Sequence, residues 1–263
     1  MKIIVCIKQV PAAASVRIDP VTLQLIREGV GSVINPFDYH ALEAALALRE
    51  TAGGEVTVLT MGPPKAETAL REALALGADR AVLLTDRAFA GSDTWATAYL
   101  LSLAIRKLGG ADLLLCGKQA IDGDTAQVGP QLAARLGIVQ ATGVSELRFV
   151  DGATLEVRRM LDGGGDLLRL RLPALLGVER DLNRPRVPTL PGYLRAVDRP
   201  VTVWSAAELN PDPALIGLAG SPTRVVSSRP AELPKRDTVL VRGSSADGAA
   251  AILRCWKPRK ETI

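Results

Sequence analysis

Apolar and polar positions follow two alternating periods along the first half of the chain. KIIVCIKQV, rich in apolar and β-branched residues, predicts a strand. SVINPFDYHALEAALALRE begins as a loop, passes Asn35-Pro36 and continues as a helix. Its Leu42, Ala45, Leu46 and Ala47 recur at helical spacing, and Gly53-Gly54 ends it. EVTVLTMG predicts the next strand; Pro63-Pro64 then opens the helix KAETALREALALG, which stops at Gly77. ADRAVLLTD is a strand, RAFAG a loop, and SDTWATAYLLSLAIRKLGG a helix capped by Ser92 or Asp93. ADLLLCG is again a strand, buried by its Leu113-Leu114-Leu115 run. Repeated β-α-β units predict an α/β fold, a mostly parallel Rossmann-like sheet with helices on both faces.

After about residue 140 the rhythm changes. ATGVSELRFV, GATLEVRRML and GDLLRLRLPALLGVE are short alternating runs joined by Asp151-Gly152 and Asp162-Gly163-Gly164-Gly165, so antiparallel strands extend the same domain. Arg180 to Pro200 is rich in Pro and Arg and reads as an exposed loop or short helix. The last sixty or so residues are weakly periodic and resemble an extended arm ending in a short helix near Ala249 to Trp256. Such an arm needs another surface to lie on. The expected organisation is an α/β domain over residues 1–200 and a C-terminal arm over 201–263.

In a parallel sheet of this kind ligands bind beyond the carboxyl ends of the strands. Four segments fall there: Cys6 to Val10, Thr60 to Pro63, Phe89 to Thr97, and Gly117 to Gln127. The last carries the most chemistry. In CGKQAIDGDTAQVGPQLAARLG a buried strand stops at Gly117, passes an acidic loop and starts a helix. The free N–H groups of a helix's first turn and its dipole favour an anion there, so the segment offers a phosphate seat. Thr125, Ala126 and Gln127 are expected to begin the helix, with Asp122 or Asp124 as its cap and Gly123 allowing close ligand approach. A capped helix that binds nothing fits the same residues. Thr94 and Thr97, on the neighbouring helix, can reach a phosphate or serve as ordinary first-turn residues. Asn35-Pro36-Phe37-Asp38 offers hydrogen bonds to an adenine or ribose, or a turn with Asp38 as N-cap.

Composition narrows the chemistry. The net charge of +4 is mild, because 32 basic residues face 28 acidic ones, and 3% aromatic content leaves little for base stacking, so nucleic-acid binding is not expected. Basic residues thicken late, at Arg184, Arg186, Arg195, Arg199, Arg254, Lys257, Arg259 and Lys260, as a solvated surface or a docking aid. Cys6, Cys116 and Cys255 match no zinc spacing or CxxC, and His40 is the single histidine, so a metal centre or a His-based triad is not expected. Asp122 and Asp124 lack a third ligand or partner base for Mg²⁺ or acid–base work. No P-loop or GxSxG elbow occurs, and DGGGD lies between strands, so it is no dinucleotide fingerprint. No apolar run is long enough to span a bilayer, and Met1 leads into IIVCIKQV without a signal-peptide pattern, so a cytoplasmic protein is expected.

VCIKQVP, INPFD, VTVLTMGPP, ALGADRAVLL, CGKQAIDGDTAQVGPQLAARLG and DLNRPRVPTLPGYL, in this order, resemble the beta subunit of electron transfer flavoprotein (ETF) over nearly the whole chain. The resemblance implies an obligate heterodimer with an alpha subunit that carries the mobile electron-transferring FAD. It also implies a second adenine nucleotide in the beta subunit, AMP in mitochondrial-type members and FAD in bifurcating ones. In the latter the second FAD accepts hydride from NADH; one electron goes to ferredoxin or flavodoxin, the other through the alpha-subunit FAD to an acyl-CoA dehydrogenase or quinone reductase. DGDTAQVGPQ and FAGSDTWAT resemble the bifurcating type, and mitochondrial-type members carry an extra acidic residue where Gly123 stands. FAD is therefore the expected ligand, with AMP as the alternative. NADH oxidation and bifurcation would belong to the assembled complex, and no catalytic residue is assigned to this chain.

By the same resemblance Cys6, Asn35, Asp38, Met61 and the segment Cys116, Gly117, Gln119, Ala120, Asp122, Gly123, Asp124, Thr125, Ala126, Gln127 and Val128 line the nucleotide. Cys6 and Met61 act there through backbone and packing, and Asp93, Thr94 and Thr97 lie on the diphosphate side. Residues 183–198 resemble the family's recognition loop, with Leu190 as the apolar anchor for the partner dehydrogenase, and the arm is expected to pack on the alpha subunit. Arg195-Ala196-Val197-Asp198-Arg199 stands where mitochondrial-type members have methylatable lysines. An adenine nucleotide α-hydrolase-like enzyme shares the sheet order but needs a Ser/Gly-rich loop after the first strand, where KQVPAAAS stands. A self-associating nucleotide sensor is the third reading.

Overall fold

The computed structural model describes residues 1–12, 17–18, 25–26, 31–227, 238 and 240–256. Lys257, Arg259 and Lys260, and residues 13–15 of the KQVPAAAS stretch, lie outside the described residues. Residues 1–227 form one compact unit and 228–263 a second.

The first unit is built on a nine-stranded sheet. Its strands are β1 (Lys2–Cys6), β2 (Glu55–Met61), β3 (Arg80–Leu84), β4 (Leu113–Gly117), β5 (Val139–Asp151), β6 (Thr154–Leu161), β7 (Gly164–Arg171), β8 (Ala174–Val178) and β9 (Val201–Trp204). They lie in the order β7-β6-β5-β8-β4-β1-β2-β3-β9. Parallel ladders join β5 through to β9 in that order, and antiparallel ladders add β6 and β7 beyond β5. The helices are α1 (Pro36–Ala52), α2 (Glu67–Leu76), α3 (Thr94–Lys107), α4 (Val128–Leu136), α5 (Leu190–Asp198) and the single turn α6 (Ala206–Leu209).

Strand periodicity divides the core between the two faces. Ile3 and Val5 of β1 pack with Leu42, Leu46 and Leu70 of α1 and α2, while Ile4 and Cys6 pack with Leu100, Ile105 and Leu132 of α3 and α4. Each fully buried leucine or isoleucine stabilises the fold by about 1.5–3 kcal/mol. α2 ends at Gly77, whose φ of 124° suits glycine.

Several elements depart from the sequence expectation. KIIVCIKQV is not one strand: β1 ends at Cys6, and Gln9–Pro11 pairs instead with Ser32–Ile34, a stretch expected to be loop. GDLLRLRLPALLGVE divides at Leu172-Pro173. DLLRLR alternates and joins the antiparallel extension in β7, whereas ALLGV, apolar throughout, is buried on both faces as β8 and runs parallel between β4 and β5. The helix of Pro64 starts as a 3-10 turn, Pro64–Ala66, before α2. Asp93, not Ser92, caps α3, accepting from the amides of Trp95 and Ala96.

Residues 201–227, expected to begin the arm, belong to the first unit. β9 pairs with β3, and Thr223 bonds Asp93 through its amide and hydroxyl at 3.0 and 2.8 Å. In the second unit α7 (Ser245–Cys255) starts earlier than the expected Ala249, because Ser244 and Asp247 form a capping box. α7 has no buried residue, and its Ile252 and Leu253 are exposed. Among the described residues no helix is long and apolar enough to cross a membrane.

Candidate functional site

From β1 the chain winds outward through α1, β2, α2 and β3, then returns across the opposite face through α3 to β4, on the other side of β1. This reversal leaves a crevice at the carboxyl ends of β1 and β4, where ligands of open α/β sheets bind. Cys6, Met61, Cys116 and Gly117 end β1, β2 and β4. Cys6 stands beside Cys116 in register. Burial pushes the Cys6 thiol up to about 12 and the Cys116 thiol well above its ordinary value, so neither is a nucleophile at neutral pH.

The loop after β4 is held from α1. Asn35, fully buried, donates from Nδ2 to the Gln119 carbonyl at 2.9 Å and accepts the Ile121 amide on Oδ1 at 3.1 Å. Asp38 accepts the Gly117 amide on Oδ1 at 3.0 Å and the Lys8 amide on Oδ2 at 2.7 Å. Desolvation raises the Asp38 carboxyl to about 7, against the opposing pull of hydrogen bonds from Asn35, Lys8 and Gly117. Asp38 is therefore not the N-cap of α1. That position is Asn35, and Asp38 stands in the first turn with its carboxylate bridging two loops. Gly117 has no room for a side chain: a Cβ would lie 2.5 Å from Asp38 Oδ1 and 2.5 Å from Phe37 Cβ.

Beyond this anchor the loop turns its acids aside. Lys8 Nζ pairs with Asp122 at 2.6 Å, Gln119 Nε2 donates to Asp124, and the Asp124 amide donates to the Ala120 carbonyl at 2.8 Å. Neither aspartate caps α4, and Thr125 and Ala126 lie outside it. The helix begins at Val128, with Gln127 at the cap position and no side-chain cap bond. Asp124 and Ala126 have φ of 53° and 54°, a left-handed conformation costing about 1–2 kcal/mol for an alanine. Among the described residues the amides of Thr125, Ala126, Gln127, Val128 and Gly129 have no hydrogen-bond partner. The first turn of α4 thus carries free donors and the positive end of its dipole, an arrangement suited to an anion. Gly123 has an ordinary φ, and an added Cβ there would meet open space.

Thr94, in the first turn of α3, donates its hydroxyl to Gln127 Oε1 at 3.0 Å, tying that helix to the loop. Thr97 lies one turn further on and Asp93 just before, its carboxyl held below the usual range because bonds from Ala96, Thr223 and Trp95 outweigh the opposing effect of desolvation. The sequence reading placed Lys8 only within the Cys6 to Val10 segment and missed its pairing with Asp122. It also missed a cleft of about 550 Å³ lined by Phe37, Gln119, Ile121, Asp124, Glu179, Arg180 and Asp181. There the Arg180 guanidinium stacks 4.5 Å over the Phe37 ring, and Glu179 pairs with Lys118 at 2.7 Å. These pairs join residues over a hundred positions apart or sit after β8, a strand read in the wrong direction. His40 bonds Asn183 through Nδ1 at 3.1 Å.

Comparison with known proteins agrees with this architecture. The family profile described as Electron transfer flavoprotein domain matches residues 22–209. Protein FixA of Azorhizobium caulinodans is 49% identical over 265 residues, covering 98% of this chain and 94% of its own. Electron transfer flavoprotein subunit beta of Clostridium acetobutylicum is 50% identical over 240 residues, covering 91% and 92%. Caffeyl-CoA reductase-Etf complex subunit CarD of Acetobacterium woodii is 48% identical over 229 residues, covering 87% of each. The chain belongs to the electron transfer flavoprotein family, as a beta-type subunit.

Proposed function

We propose that this protein is the beta subunit of a heterodimeric ETF, holding FAD at the first turn of α4. It would pass electrons between NADH or dehydrogenases and the FAD of an alpha subunit, by flavin-based bifurcation. The observation that carries the reading is the uncapped start of α4, where the amides from Thr125 to Gly129 find no partner among the described residues, at the sheet's reversal point. A flavin bound there supplies hydride acceptance and one-electron release. The chain's own part is to hold and orient. The loop amides and the α4 dipole face the diphosphate, Thr94 supports it from α3, and Cys6 and Met61 close the strand ends by packing. Leu190, 73% exposed at the start of α5, serves as the anchor for an acyl-CoA dehydrogenase or quinone reductase. The arm from residue 228 onward lies on the alpha subunit.

Nucleotide released by denaturing the purified αβ pair tests the cofactor. Two FAD per pair are expected; AMP with a single flavin per pair overturns the FAD reading. Gly123→Ala adds a direct probe of the seat. Because its Cβ meets open space, stability should stay within about 0.5 kcal/mol of wild type. FAD retention should fall several-fold where the diphosphate approaches this loop, and unchanged retention places the diphosphate elsewhere.

A further inference from the structure

Asn35 and Asp38 are buried polar residues, a placement that costs free energy unless their polar atoms are hydrogen-bonded. Their polar atoms face main chain: the Gln119 carbonyl and Ile121 amide for Asn35, and the Lys8 and Gly117 amides for Asp38. The two loops thus engaged follow β1 and β4 and bracket the crevice. We propose that the side chains of Asn35 and Asp38 position these two loops, and that the ionised Asp38 carboxylate sets the loop geometry on which nucleotide binding depends.

The chemistry follows from the count of acceptors. An ionised carboxylate takes both amides at once, whereas a protonated one turns one oxygen into a donor and must release or weaken one bond. Burial raises the Asp38 carboxyl to about 7, so that change falls near neutrality. The charged or titratable groups around it are Lys8, whose ammonium is paired with Asp122, and the Cys6 and Cys116 thiols, which stay neutral because their own values are raised by burial. Lys118 and Glu179 pair with each other after the neighbouring strands, and His40, on the same helix, bonds Asn183. A carboxylate so desolvated is a cost to folding. Its contribution favours the folded state below about pH 4, and that contribution is lost as pH rises through about 7. Retaining it makes sense if the ionised form does something for the loop.

This inference rests on the nucleotide reading above. The test uses the full chain, wild type and Asp38→Asn, at pH 6 and pH 8, with FAD and AMP as probes. Two quantities are read: protection factors of the Gly117 and Ile121 amides, and equilibrium affinity for each nucleotide. In wild type both should fall by up to about tenfold from pH 8 to pH 6, the limit for one carboxyl that titrates near 7. In Asp38→Asn both should be low and should lack that extra pH dependence, the nucleotide's own ionisation being common to the two proteins. Should Asp38→Asn fail to fold, wild-type amide protection and FAD affinity at the two pH values decide, because the diphosphate of FAD, unlike the phosphate of AMP, does not titrate between them. Binding that is equal in both proteins, or wild-type protection that ignores pH, overturns the inference and leaves the nucleotide reading intact. Failure of both probes to bind wild type at either pH removes the seat and the proposed role of Asn35 and Asp38 together, even where the amides respond.

Discussion

Gly117→Ala lowers the stability of the chain by about 3–5 kcal/mol, the sum of an overpacking cost and a lost charge-assisted hydrogen bond, and releases the nucleotide proposed to bind at this loop. The new Cβ would lie 2.5 Å from Asp38 Oδ1, 2.5 Å from Phe37 Cβ and 2.8 Å from the Phe37 carbonyl carbon. None of these is the free end of a flexible side chain. The Asp38 carboxylate is held by the Lys8 amide, Phe37 belongs to the first turn of α1, and α1 is packed along the sheet through Leu42 and Leu46. The strain can be relieved only by moving α1 or the end of β4, and either motion breaks the Gly117–Asp38 bond. Urea titration of the two proteins measures the stability, and absorbance of the retained flavin measures the nucleotide. A loss below about 1 kcal/mol with normal flavin content would mean that α1 and β4 do not meet as closely as described.

The fold was largely legible because its signals are local. The 3.6-residue recurrence in α1, the Asp93 cap of α3 and the buried Leu113–Leu115 run each sit within one turn or one strand. β8 was read as antiparallel because ALLGV follows an alternating stretch without a long turn. Its uniform burial, visible as an apolar run, was the better guide to its direction. The candidate site was legible as a place and not as an arrangement. Strand-to-helix order locates the loop after β4, but Asn35 meets Gln119 across 84 positions, and Lys8 meets Asp122 across 114. Capping rules assigned the nearest aspartates to α4. Lys8 and Gln119 take those carboxylates instead, and the helix start is left without a cap. The positive φ of Ala126 has no sequence signal, since alanine there opposes local preference. A loop that departs from local preference at the sheet's reversal point is where function and folding diverge.

Gly192→Ala lowers reduction of the dehydrogenase proposed as partner by about 30-fold or more, the loss expected when an interface anchor worth about 2 kcal/mol no longer reaches its pocket. The anchor proposed is Leu190, and its position depends on how α5 is seated. Of this helix only Gly192 and Ala196 are buried, while Leu190, Tyr193, Leu194 and Val197 are exposed. The seat is α2: a Cβ on Gly192 would lie 2.3 Å from the Ala75 carbonyl oxygen, so the two backbones touch with no allowance for a methyl group. Arg71 locks the other end, donating to the Ala196 and Arg199 carbonyls at 3.1 and 2.7 Å while Glu67 holds its guanidinium. A helix clamped in this way presents its apolar residues already ordered, which spares the complex the entropy of fixing them on contact. Gly192→Ala lifts the helix from α2 and withdraws that order. The loop proposed to hold the nucleotide takes its bonds from Asn35, Asp38 and Lys8, so flavin content should stay at the wild-type level. Leu190→Ala is the paired measurement: it leaves the seat intact and removes the anchor alone, and it should raise the KM for the partner by a similar factor. Steady-state reduction of the dehydrogenase by the assembled αβ pair reads both variants. A Leu190→Ala protein that loses flavin and partner reduction in equal measure would make this helix part of the fold's support and not a docking element.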